Sequence, residues 1–130
     1  MKFSYSNIST FTTQCYNGAI NSFPFVEEFE SNLECWATEY VANSVDWEIA
    51  YAIGEYDTPA YSGNNFAKFS VDSWDDITTR LISPTFDLTT VNNPYIKYAH
   101  IQPEWDGDQD FLSVYYRVHT DSAWVLLTSY

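Results

Sequence analysis

Residues 23–29 place Phe23, Phe25 and Phe29 in odd register, with Glu28 and Glu30 opposite. This spacing predicts a strand with one packed and one acidic face, and Pro24 puts it at a sheet edge or strand start. Residues 47–53 alternate Trp47, Ile49, Tyr51 and Ile53 against Glu48, Ala50 and Ala52, a period of two with a single packed face. Residues 66–71, 95–101, 111–118 and 124–128 read as further strands, with Ile96, Tyr98 and His100 facing away from Tyr95, Lys97 and Ala99. Residues 36–40 and 86–88 are short, and 36–40 fit no single pattern. Gly, Pro, Ser and Asn cluster in 54–65, Asn92-Asn93-Pro94 punctuates the chain again, and 102–110 form an acidic loop. No segment keeps a helical period. Short strands at regular spacing with turn chemistry between them predict an all-β, antiparallel two-sheet β-sandwich or barrel. Residues 1–22, rich in Ser, Thr and Asn, read as a lead-in or first edge strand, and residues 23–130 as the sandwich domain.

At 130 residues the chain has room for one domain with its own core. Eighteen Asp and Glu against five Lys and Arg give a net charge of -13, which repels phosphate backbones and anionic membrane surfaces. Nucleic acid is therefore excluded as a partner, and no apolar run is long enough to insert into a bilayer. Composition that is 45% hydrophobic and 19% aromatic is also far from that of acidic disordered tails. The N-terminal residues lack the apolar stretch of a signal peptide. Cys15 and Cys35 would close a loop of about 20 residues as a disulfide, or sit as buried thiols; neither has the clustering zinc needs.

The order of several short motifs carries a resemblance. Phe29-Glu30-Ser31, Cys35-Trp36, Asp46-Trp47, Ala67-Lys68-Phe69, Arg80-Leu-Ile-Ser-Pro84 with Phe86-Asp87-Leu88, Tyr95-Ile-Lys-Tyr98, Asp110-Phe-Leu-Ser-Val-Tyr115 and Trp124-Val-Leu-Leu127 resemble the MAM domain and its bacterial relatives, the cleaved-adhesin and choice-of-anchor J domains. The resemblance runs from about Phe25 to the C-terminus. It implies a concanavalin-A-like two-sheet jelly roll in a secreted or cell-surface bacterial protein, serving adhesion without catalysis. It also implies further strands that this chain does not carry, leaving an open sheet edge for a neighbour, a swap or self-association. The family pattern has a cysteine where Val26 and Glu27 stand here.

Carboxylates are the candidate chemistry. A chain this acidic gains from a bound cation, and millimolar extracellular calcium is the obvious one. Glu28 and Glu30 share a strand face and Glu27 takes the other, whereas the resemblance matches Glu27 and Glu30 to the family's calcium-binding acids. Asp106-Gly-Asp108-Gln-Asp110 places alternate carboxylates around a glycine, without being an EF-hand: its glycine and closing-acid positions hold Phe111 and Arg117. Asp46 is a third candidate. Trp74 and Trp105, each beside carboxylates in a polar loop, are candidates for stacking on a sugar face or anchoring a protein, against the alternative that they fold back onto the core.

Enzymatic readings find no support. Glu48 and Glu55 lack the tight alternation of a glycosidase carboxylate strand. His100 and His119 have no nucleophile elbow or cysteine beside them, and the four glycines form no phosphate loop. The expectation is a non-catalytic module that binds glycan or protein with calcium support, the alternative being a spacer domain with no ligand of its own.

Overall fold

The computed structural model describes residues 15, 18–51, 60–104 and 106–130. Among them the chain is all-β, without a helix, and so without one long and apolar enough to cross a membrane. Six strands are present: β1 (Ala37–Ala42), β2 (Glu48–Ala50), β3 (Phe66–Lys68), β4 (Thr78–Ile82), β5 (Ser113–Tyr116) and β6 (Val125–Ser129). They pair antiparallel as β1 with β4, β2 with β3, and β5 with β6. The chain divides into two compact units, parting between Pro94 and Tyr95.

In the first unit, opposite charges stand directly across each ladder. Glu39 faces Arg80 in β1–β4, and Glu48 faces Lys68 in β2–β3; both pairs form ion pairs, the second at 3.2 Å. Such cross-strand pairs favour one register over its neighbours. A register shift between Tyr40 and Ala42 precedes the last pair of the first ladder, Ala42 with Thr78, and Asn43 follows at φ 57°, a left-handed conformation that asparagine tolerates. Its side chain donates to the Asp76 carbonyl at 2.7 Å. Residues 45–47 tie the two strand pairs together. Thr79 Oγ1 donates to the Val45 carbonyl at 2.8 Å, the Trp47 indole N–H points at the Thr79 carbonyl at 3.4 Å, and Trp47 packs on Phe69 with ring centres 5.4 Å apart.

Residues 23–29 do not form the expected strand. Pro24 has no N–H for a ladder, and Phe29 takes φ 58°, which turns the chain out of extended geometry. The three phenylalanines consequently separate: Phe23 and Phe25 pack on Phe86, at 6.3 and 5.3 Å, while Phe29 packs on Trp36 at 5.2 Å. Just before them Ile20, 6% exposed, is the buried apolar side chain among the described residues. It is held by a parallel bridge to Phe86, with Ile20 N donating to the Thr85 carbonyl and Asp87 N to the Ile20 carbonyl, both at 2.8 Å. The end of the lead-in thus supplies the packing centre of this unit.

The second unit is the β5–β6 hairpin with residues 95–112. Ser113 and Ser129 face each other with their hydroxyls 2.8 Å apart, and the Arg117 guanidinium lies 4.2 Å from the Trp124 ring centre. Residues 95–101 carry no ladder, contrary to the expected strand. Their alternation survives in the side chains, because Tyr98 and His100 lie together against Tyr130.

Candidate functional site

Glu30 is the most heavily engaged of the candidate carboxylates. Its Oε1 accepts the backbone N–H groups of Asn64 and Asn65 at 2.6 and 2.9 Å, its Oε2 accepts Asn64 Nδ2 at 3.3 Å, and its carbonyl accepts Asn65 Nδ2 at 3.1 Å. The clasp needs glycine at 63. Gly63 has φ 65°, and a Cβ there would overlap the Glu30 carboxylate. The two backbone donors, Asn65 first, hold the Glu30 carboxyl below its ordinary range, because each stabilises the ionised form.

Glu27 also serves the backbone. Oε1 caps Phe29 N at 2.8 Å, stabilising the residue that turns the chain, and Oε2 accepts the Trp36 indole N–H at 3.2 Å. Glu28 is exposed. Asp46 accepts the Tyr40 hydroxyl, and losing that proton would set a phenolate against a carboxylate, so the Tyr40 pKa is raised. Asp106, Asp108 and Asp110 line an exposed turn in which Asp106 and Gly107 have φ 50° and 84°. The Asp110 carbonyl accepts Gln102 Nε2 at 2.8 Å. Among the described residues no three His, Cys, Asp or Glu side chains converge in an arrangement that could hold a metal ion. The acids at 27, 30 and 46 each accept hydrogen bonds from the surrounding chain.

The two loop tryptophans part company. Trp105 lies outside the described residues. Trp74 is 101% exposed, on a turn braced by Ser73 Oγ donating to Asp75 Oδ2 at 3.0 Å and Asp75 N donating to Ser73 Oγ at 3.1 Å. It does not fold back onto the core. The tryptophans that stand immediately before β1, β2 and β6 behave differently, with Trp36, Trp47 and Trp124 all half-buried.

A second exposed aromatic group was not singled out by sequence reasoning. Tyr98 donates its hydroxyl to the Tyr130 hydroxyl at 3.0 Å, and the His100 ring centre lies 4.3 Å from that of Tyr130. The hydroxyl contact raises the Tyr98 pKa. The signal available beforehand was the shared parity of positions 98 and 100; that Tyr130 meets them depends on the hairpin, where Tyr130 N donates to the Leu112 carbonyl at 2.9 Å. Glu48, considered as a hydrolytic acid, is the partner of Lys68; Glu55 lies outside the described residues. No family model, curated protein or solved structure matches the chain.

Proposed function

We propose that this chain is a non-catalytic recognition module of a secreted or cell-surface bacterial protein, a jelly-roll β-sandwich of the MAM-like kind that binds glycan or protein through aromatic side chains on its turns. The observation that carries this reading is Trp74. An indole of 150–250 Å² placed wholly in water forgoes on the order of 4–6 kcal/mol of gross hydrophobic free energy, which a flat apolar partner face would recover. A Ser–Asp brace orders the turn that carries the ring, reducing the backbone ordering cost of binding. The flanking Asp75 and Asp76 supply acceptors for sugar hydroxyls or protein donors, and the net charge of -13 disfavours anionic ligands.

Calcium support belongs to this proposal, and it is simplest at the exposed Glu28 and 106–110 turn, since the carboxylates of Glu27, Glu30 and Asp46 would have to share their oxygens with the donors they already accept. The test of the recognition reading is an array of neutral glycans and immobilised surface proteins, probed with the natural chain and with Trp74→Ala. The variant should keep its melting temperature and lose about tenfold or more in affinity for whatever the natural chain retains, as a central aromatic anchor does. Equal retention by both chains would remove Trp74 from the reading. No retention by the natural chain would leave the spacer alternative.

A further inference from the structure

We propose that Cys15 and Cys35 form an intramolecular disulfide when the chain meets an oxidising environment. The Cys15 thiol lies 3.1 Å from the carbonyl oxygen of Glu34, across 19 residues of sequence. In a trans peptide that oxygen is about 2.8 Å from the next Cα. Cys15 Sγ is therefore within about 6 Å of the Cys35 Cα, whatever the direction of approach. A disulfide joins cysteines whose Cα atoms are about 4.4–6.8 Å apart; rotation of the Cys15 side chain closes the remaining distance to Cys35, and rotation at Cys35 turns its own Sγ to meet it.

The receiving end is fixed. Glu34 N donates to Asn32 Oδ1 at 3.1 Å and Trp36 N to the Leu33 carbonyl at 2.8 Å, so Cys35 sits in a hydrogen-bonded turn. Cys15 is exposed and Cys35 half-buried, leaving the pair open to a small oxidant. With glutathione disulfide, one cysteine thiolate attacks it to give a mixed disulfide and one glutathione. The second thiolate then displaces the other glutathione. Two protein thiols thereby lose two protons and two electrons, and the oxidant becomes two glutathione thiols. The covalent loop encloses Ile20, Phe23 and Phe25, the residues that pack around Phe86, so the bond would staple the segment on which the first unit closes.

The chain is equilibrated with oxidised and reduced glutathione at an extracellular-like ratio, cut at Glu27 and Glu28 between the two cysteines, and weighed without reduction. A linked peptide pair carrying Cys15 and Cys35, about 2 Da lighter than its reduced parts, is expected. The intact oxidised chain should melt roughly 5–10 °C above the reduced one. Cys15→Ser and Cys35→Ser should each abolish the oxidant-dependent rise. Thiols that stay open to alkylation, glutathione adducts or chain dimers in place of the internal link, or a rise that persists in either serine variant, would each overturn the proposal. None of these readouts depends on a ligand, so they stand apart from the recognition reading.

Discussion

Gly63 and Glu30 constrain one another: the carboxylate reaches two backbone N–H groups only because residue 63 has no side chain in its way. Gly63→Ala combines a left-handed backbone with a collision and should destabilise the chain by about 1 kcal/mol or more in urea melts. The Glu30 carboxyl titrates below its ordinary value of 4.5, so folding favours its ionised form. Its contribution is complete above that value and is lost as pH falls through the lower value of the folded state. The Asn64 and Asn65 amide resonances should therefore shift together below pH 4.5, and Glu30→Gln should remove that titration. Shifts centred above 4.5 would show that the clasp does not stabilise the carboxylate. The importance of Glu30 was legible in its place beside Phe29, but its partner was not. A carboxylate that binds a cation and one that caps a loop occupy the same sequence, and only the approach of residues 63–65 separates them.

At the scale of elements, β2 and β3 offer a clean test of register. Glu48 and Lys68 face each other across a ladder of three residue pairs, with their side chains 58% and 23% exposed. Reversing one charge, as in Lys68→Glu, should cost roughly 0.2–1 kcal/mol. The double exchange Glu48→Lys with Lys68→Glu should restore most of it in a thermodynamic cycle. No coupling between the two sites would mean that the ladder is not held in this register. Four of the six expected strand regions, 47–53, 66–71, 111–118 and 124–128, hold a strand, because alternation over residues such as Trp47 to Ala50 reports directly on a pleated, one-sided surface. Residues 23–29 and 95–101 alternate as well without entering a ladder. In the first, Pro24 and the turned Phe29 withdraw backbone from pairing; in the second, Tyr98 and His100 use their shared side to meet Tyr130.

Across the whole molecule, charge is the dominant long-range term. Eighteen acids oppose five bases, and among the described residues Lys68 and Arg80 form ion pairs while Arg117 stacks on Trp124. Self-repulsion should make the melting temperature rise by a few degrees between low and physiological sodium chloride, by screening alone. Calcium at matched ionic strength should raise it further if the 106–110 turn binds the ion, with EDTA reversing the increment. Identical melting in the two salts would remove calcium from the proposal. The same charge opposes edge-to-edge pairing of two copies, although many apolar side chains of the hairpin, among them Val125, Leu126 and Leu127, are exposed.

The sequence by itself determined that this chain builds strands, repels polyanions and carries its aromatic side chains at strand spacing, because period, composition and net charge are properties of the chain before it folds. Only the tertiary structure decided which carboxylate caps which loop, that Trp74 points into water, and that Cys15 reaches the neighbourhood of Cys35. The Glu30 clasp and the approach of Cys15 to Cys35 depend on segments 19 to 35 residues apart arriving at the same place, and no local pattern encodes that meeting.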